Sequence, residues 1–225
     1  MAAMRLLGVS VGRPREVAYR DRRGRDKTTT TSIFKDPVEG RVMLRALNID
    51  GDEQSDLDAH GGFERAAYVY SIESYRYWAD TLGRDDFAAL SQFGENLTVE
   101  GMADDEVCVG DTFRFGDAVV QITQPRVPCF KLGIRIGIPN FQVRFAEALR
   151  TGFYLRVVEE GEIGAGDAID RLERDPVGMT VADMMRLLYF EPDNLADARR
   201  ALRIEAMSPG WRGSFEDRLR KAGEG

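Results

Sequence analysis

The residue types best suited to chemistry gather in Gln121-Ile-Thr-Gln-Pro-Arg-Val-Pro-Cys-Phe-Lys131. A strand ending at Thr123 runs into Pro125 and Pro128, whose fixed φ stiffens the loop that follows. That loop presents Arg126, Cys129 and Lys131. A thiol held beside two cations has its thiolate favoured. Cys129 can then act as a nucleophile, carry a persulfide or bind a soft metal. The competing reading is an inert core cysteine, and the flanking charges argue against it. The second cysteine, Cys108, alternates within Val107-Cys-Val109 and reads as strand packing.

Two other places carry chemistry-capable residues. His60, the single histidine, lies in Asp58-Ala-His-Gly-Gly62, where paired glycines allow a sharp turn or close approach to a ligand. It is either a structural hydrogen-bonder or a ligand contact. Residues 20–35 form a basic, hydroxyl-rich stretch, with Arg20, Arg22, Arg23, Arg25 and Lys27 ahead of Thr28-Thr-Thr-Thr31. It reads either as a solvated loop or as an anion site built from amides, hydroxyls and cations.

Several classes fall away. One histidine excludes multi-histidine zinc centres. The chain has no Gly-x-Ser-x-Gly elbow, no phosphate loop ending in Gly-Lys-Ser/Thr, and no Gly-x-Gly-x-x-Gly after a strand. With 31 basic against 38 acidic residues it carries −7, the wrong sign for a protein that neutralises nucleic-acid phosphates. Two cysteines make no disulfide framework and point to a reduced, cytoplasmic chain. No apolar run approaches the ~20 residues needed to span a bilayer.

The elements that position these residues are mainly short strands punctuated by Gly, Asp and Pro. Expected strands are 5–11, 40–44, 66–70, 96–99, 112–115, 118–123, 153–158 and 168–172. Helices interrupt them at two places. One is capped by Ser71, carries Ile72, Tyr75, Trp78 and Leu82 on one stripe, and ends at Gly83. The other spans 139–149. An internal echo, Val107-x-x-Gly-Asp-x-Phe113 and Ile163-x-x-Gly-Asp-x-Ile169, marks two turns that feed strands, as at barrel corners. The fold class expected is mainly β with inserted helices, a closed or nearly closed barrel.

After Asp175-Pro176 the texture changes to three helical stripes. Thr180 caps the first, the second follows Pro192, and the third carries Trp211, Phe215 and Leu219. The expected domains are therefore 1–175 and 176–225. The second holds eight basic and eight acidic side chains, so the net charge of −7 resides on the first. About 50 residues are marginal for independent stability, so this tail docks either on its own barrel or on a partner.

Ser32-Ile-Phe-Lys-Asp-Pro-Val38, Gly51-Asp-Glu-Gln54, His60-Gly-Gly62, Phe93-Gly-Glu-Asn-Leu97, Val109-Gly-Asp111 and Gln124-Pro-Arg-Val-Pro-Cys-Phe-Lys-Leu132 occur in this order. As an ordered set they resemble the MOSC domain, named for the C-terminal part of molybdenum-cofactor sulfurases. The resemblance is closer to the stand-alone bacterial type associated with resistance to 6-N-hydroxylaminopurine. It runs from about residue 5 to 172, and the tail is similar to the three-helix domain of that branch. The resemblance implies a MOSC-like β-barrel binding the molybdenum–pyranopterin cofactor, followed by a small three-helix C-terminal domain. Cys129 matches the family's sulfur ligand to molybdenum. His60, Asn96 and Arg126 match positions around the cofactor, and Lys35 lies in the segment near its phosphate. The implied activity is reduction of small N-hydroxylated compounds, such as hydroxylaminopurine-type bases, with electrons from a separate reductase. The C-terminal helices are a candidate docking surface for that reductase. Two alternatives stand beside this reading: a sulfur carrier with a persulfide on Cys129, and a non-catalytic cofactor carrier or interaction protein.

Overall fold

The computed structural model describes residues 3–21, 23–54, 62–84, 87 and 90–223. In chain order the strands are β1 (Met4–Val11), β2 (Arg15–Arg20), β3 (Asp26–Thr31), β4 (Asp36–Pro37), β5 (Arg41–Leu44), β6 (Ala67–Ser71), β7 (Leu97–Glu100), β8 (Thr112–Phe115), β9 (Ala118–Pro125), β10 (Phe153–Glu159), β11 (Gly161–Gly164) and β12 (Ala168–Glu173). Helices α1 (Ile72–Leu82), α2 (Phe130–Ile136) and α3 (Phe141–Glu147) interrupt them. Helices α4 (Val181–Tyr189), α5 (Leu195–Ala201) and α6 (Pro209–Lys221) follow. No helix among the described residues is long and apolar enough to cross a membrane.

Seven strands close on themselves in the order β12-β8-β9-β10-β6-β7-β1, with β1 pairing back onto β12. Closure removes the unpaired edges that an open sheet would expose. Neighbours run antiparallel except β6 and β7, the pair that flanks α1. Strand β4 extends β1, while β5 pairs with β11 and β2 with β3 as separate ribbons.

Alternation along the strands divides the apolar residues between two cores. Val69, Ile122, Phe153 and Leu155 point into the barrel with Phe113 and Phe115. Their neighbours Tyr68, Tyr70 and Tyr154 point outward. There they meet Tyr75 and Trp78 of α1, Leu132 and Ile136 of α2, and Phe141 and Phe145 of α3. Each buried large side chain contributes roughly 1.5–3 kcal/mol. The outer layer is dense in rings: Tyr70 lies 4.6 Å from Phe93, and Trp78 stacks on Phe145 at 5.8 Å.

The Gly-Asp echo is the same turn used twice. Gly110 and Gly166 have φ of 98° and 97°, open to glycine at no steric cost. Asp111 accepts the Cys108 amide at 3.1 Å, and Asp167 accepts the Gly164 amide at 2.9 Å, three residues back in each case. The turns feed β8 and β12, which pair with each other.

The three C-terminal helices dock on their own barrel. Met184, Met185, Trp211 and Phe215 belong to the same core cluster as Phe113 and Leu155. Backbone bonds seal the joint: Val181 donates to Val107 at 3.0 Å, Ala182 to Asp104 at 2.9 Å, and Ser208 to Thr123 at 3.2 Å. Thr180 and Asp183 form a reciprocal capping box at the start of α4.

Four local readings need correction. The basic stretch is not a loop: β2 and β3 form a hairpin with Arg15 opposite Thr31 and Arg20 opposite Asp26. Four consecutive β-branched threonines favour that extended ribbon. β11 was missed because Gly161 and Gly164 dilute its apolar pattern. α2 begins where a longer loop was expected, since Phe130 to Ile136 offers only two turns of signal. Cys108 is fully buried as expected, but it sits in a turn that makes an isolated bridge to Thr180 rather than in a strand.

Two outcomes follow from the joint. Phe215→Ala should cost about 3–5 kcal/mol and leave one cooperative urea transition. A separate early transition for the helices would contradict a shared core. Asp104 is buried there, with Oδ1 accepting the Gly152 amide at 2.8 Å and Oδ2 without a partner among the described residues. Burial pushes its pKa up to about 7, against 3.8 in the unfolded chain. Its protonated form favours folding fully below pH ~4, and that contribution disappears as pH rises through 7. Asp104→Asn should flatten the loss and gain as much as ~4 kcal/mol at pH 8 relative to pH 4. Equal urea midpoint differences between the two pH values in both proteins would refute it.

Candidate functional site

One cleft lies on the outer face of the barrel, at the border of the aromatic layer. Cys129, Arg126, Asn96 and Lys35 all line it, together with Ser32, Asp52, Arg65, Tyr68 and Tyr154. Four of the five residues singled out from sequence therefore meet in space; His60 lies outside the described residues. Within the cleft Lys35, Arg65, Arg126 and Lys131 outnumber Asp52 and Glu53. A cleft of this sign in a chain of −7 favours an anionic occupant.

Cys129 is placed by α2. Its own backbone is extended, at φ −115° and ψ 171°, and its carbonyl accepts the Leu132 amide at 3.0 Å as the helix starts. Leu132 and Ile136 anchor the helix in the aromatic layer four residues apart. Gly137 then ends it in the left-handed region, at φ 76°. The thiol is half-buried at the cleft, whereas Val127 and Phe130 on either side are 43% and 45% exposed.

Arg126 does not stand in an open loop as expected. It is 6% exposed. Nη1 donates to the Tyr68 hydroxyl at 3.1 Å and to the Phe93 carbonyl at 3.0 Å. Its guanidinium lies 4.5 Å from the Tyr68 ring centroid, a cation–π contact, and 5.7 Å from that of Phe145. Burial opposes its charge, but the surrounding phenols and Cys129 keep its pKa raised. Among the described residues no carboxylate pairs with it within 4.0 Å. A buried cation without an anion is costly, so among the described residues the charge of Arg126 is left uncompensated by a carboxylate.

Lys35 has its partner. Nζ meets Asp52 Oδ1 at 2.5 Å, with the two side chains 8% and 2% exposed. The same oxygen accepts the Gly12 amide at 2.7 Å. Burial lowers the Lys35 pKa and the Asp52 charge opposes that shift. Close by, the Ser32 hydroxyl is buried at the cleft wall without a hydrogen-bond partner among the described residues. Asn96 has a structural use: Oδ1 accepts the Tyr68 amide and Nδ2 donates to Ser10, both at 3.2 Å. It splices β1 to β6 beside the cleft.

The loop 91–96 owes its shape to Glu95. Oε1 accepts from the Tyr75 hydroxyl, from the Ser91 amide at 2.9 Å and from Thr98 Oγ1 at 3.0 Å, while Oε2 accepts the Phe93 amide at 3.2 Å. Gly94, at φ 80°, lets this loop lie against the segment holding Ser32 and Lys35. A Cβ there would fall 2.4 Å from Ile33 Cγ1 and 3.1 Å from the Ile33 carbonyl. Glu95 and Gly94 stand inside Phe93-Gly-Glu-Asn-Leu97, a segment already singled out, but the sequence gave neither a role.

Tyr68 and Tyr154 were missed as site residues. They are direct register partners on β6 and β10, with rings 5.4 Å apart. The only sequence signal was polarity on the outward side of otherwise buried strands. Tyr68 is committed, donating to the Thr151 carbonyl at 2.8 Å. Burial raises the Tyr154 pKa, with Arg126 and Arg65 opposing, so its phenol keeps its proton at neutral pH.

Among the described residues no three His, Cys, Asp or Glu side chains converge to chelate a metal ion. Among those residues Cys129 is not part of any such cluster. The Ser32 hydroxyl and Arg126 guanidinium, without an anionic partner among the described residues, and the surplus of cations suit an anionic ligand.

Comparison with known proteins identifies both parts of the fold. Residues 56–170 match the MOSC domain, and 179–222 match the YiiM-like, 3-alpha helix domain. The uncharacterized Bacillus subtilis protein YflK is 39% identical over 217 residues, 95% of each chain. A Gibberella moniliformis protein named a reductase is 35% identical over 161 residues, covering 71% of this chain and 28% of that longer one. The crystal structure of YiiM from Geobacillus stearothermophilus superposes with a TM-score of 0.79 at 30% identity, covering 96% of this chain and 99% of that one. The chain belongs to the MOSC domain family, with the YiiM-like three-helix domain following its barrel.

Proposed function

We propose that the cleft binds the molybdenum–pyranopterin cofactor and that the loaded protein reduces small N-hydroxylated compounds. MOSC domains are associated with this cofactor. The observation that carries the reading is the buried, carboxylate-free Arg126 beside the half-buried Cys129 thiol. When bound, the metal–pterin group supplies the two-electron chemistry: R–NHOH, two electrons and two protons give R–NH2 and water. A separate flavin or iron–sulfur reductase supplies the electrons. The Gibberella moniliformis reductase, in which the matched segment is 28% of the length, supports a domain of this kind working beside a longer redox chain.

The chain's own residues then have distinct tasks. Cys129 Sγ would hold the metal as a thiolate, a form that a coordinated thiol adopts without a separate base. Arg126 balances that negative charge from within the aromatic layer. Ser32 Oγ and Lys35 Nζ would hold the cofactor's phosphate end, and Asn96 keeps β1 and β6 in register beside them. Tyr154 Oη holds a proton inside the cleft and is the donor to the departing oxygen.

Two measurements test this. Molybdenum per chain, assayed after production in a host that makes the cofactor, should be near-stoichiometric in the wild type and lost in Cys129→Ser. Absent metal with cyanide-releasable sulfur on Cys129 would replace the enzyme by the sulfur carrier. Tyr154→Phe should retain the metal and KM yet lower kcat by about 10²-fold, the smaller end of what positioned proton transfer supplies. An unchanged kcat would remove Tyr154 from the mechanism.

A further inference from the structure

Electrons have to enter the cleft from outside, and the surface around its mouth has its own character. Residues 15–27 hold six basic and three acidic side chains in a chain that is otherwise strongly acidic. Two of the acids are spent on shape. Arg20 pairs with Asp26 at 3.0 Å and Arg25 with Asp21 at 2.7 Å. Asp21 also accepts the Arg23 and Arg25 amides at 2.8 Å and 3.0 Å, which fixes the turn. Arg23 and Lys27 are exposed on the same ribbon.

The hairpin is pinned beside the site. Tyr19 packs on Phe130 with ring centroids 5.4 Å apart, and Phe130 follows Cys129 directly. Arg15 lies 3.9 Å over the Phe34 ring, which also receives Arg135 of α2 at 5.1 Å. The strand itself ends in Thr31, a residue of the cleft wall. Exposed apolar side chains complete the rim: Val127 and Phe130 flank the thiol, and Phe63, 65% exposed, stands two residues from the cleft-lining Arg65. Exposed apolar anchors beside a net-basic ribbon are the make-up of a transient protein interface.

We propose that this rim, with the β2–β3 hairpin as its basic arm, is the docking surface for an electron-donor protein whose exposed flavin is ringed by acidic residues. The proposal rests on the cofactor reading above and names where and how its partner binds. Electron tunnelling weakens steeply with distance, so the donor's flavin must face the cleft mouth. The C-terminal helices, expected from sequence to carry the docking surface, have balanced charge and are engaged in the barrel core. Opposite fields at the mouth steer encounter and set its salt dependence.

The test uses reduced flavodoxin, an acidic flavin protein, as the probe, and compares the wild type with Arg23→Glu/Lys27→Glu. Both changes are exposed and outside the cleft. Calorimetry on the whole chain should give a flavodoxin affinity that weakens with salt and falls at least tenfold in the variant. In cofactor-loaded protein, electron transfer from flavodoxin should fall by the same factor, while turnover with reduced methyl viologen stays unchanged. Salt-independent or undetectable flavodoxin binding by the wild type, or equal binding by both proteins, would overturn the docking surface. A wild type that turns over with neither donor while binding flavodoxin normally would overturn the cofactor reading and leave the surface standing.

Discussion

A guanidinium buried beneath a cleft is the constraint around which this architecture is arranged. Arg126 is held by a hydroxyl on β6, by a carbonyl in the loop shaped by Glu95, and by the faces of two rings. Tyr68, Phe93 and Phe145 come from a strand, a loop and a helix, so the charge is held as described only when all three are in place. Glu95 closes the loop that offers the carbonyl, Gly94 lets that loop lie flat, and Phe145 on α3 supplies one of the ring faces. The one carboxylate among them, Glu95, is spent on the loop's own amides and hydroxyls, and among the described residues none pairs with the guanidinium itself. The fold thus holds a positive charge within an aromatic layer at some cost to stability, a cost that an anionic occupant of the cleft would offset.

The two cores divide the labour. The barrel interior, continuous with the C-terminal helices, is aliphatic and closed, and its role is to hold strands in register. The outer aromatic layer sits against Tyr68 and Tyr154 and is interrupted by the cleft. Because β6 and β10 belong to both, alternate residues on one strand carry stability and site geometry separately. Substitution on one face leaves the other face's contacts in place.

Much of this was legible in the residues. The Ser71 and Thr180 caps, the Gly-Asp turns and the strand alternation are local signals, and each was found where expected. Cys129, Arg126, Asn96 and Lys35 came to one cleft, guided by an ordered set of motifs and not by spacing alone. Misreadings arose where local and long-range forces differ. Arg126 looked exposed because arginine usually is; only the rings of Tyr68 and Phe145, distant in sequence, make its burial tolerable. The threonine run looked like a loop because its partner strand has the polarity of one. Tyr154 is an ordinary strand residue until it is seen opposite Tyr68. No periodicity announces a cross-strand pair.

The shared core also sets a schedule for biogenesis. Met4 and Arg5 find their partners in Ile169 and Ala168, and the apolar end of the barrel is covered only by side chains as late as Phe215 and Leu219. During synthesis, most of the chain must wait outside the ribosome with strand edges and apolar faces uncovered. Closing so long a loop is slow, and no earlier segment substitutes for the last helix. The aromatic layer, made from residues 33–145, can be synthesised completely before the barrel is able to seal. Any ligand that requires the finished cleft therefore arrives only after β10, which carries Tyr154, has been made and paired with β6.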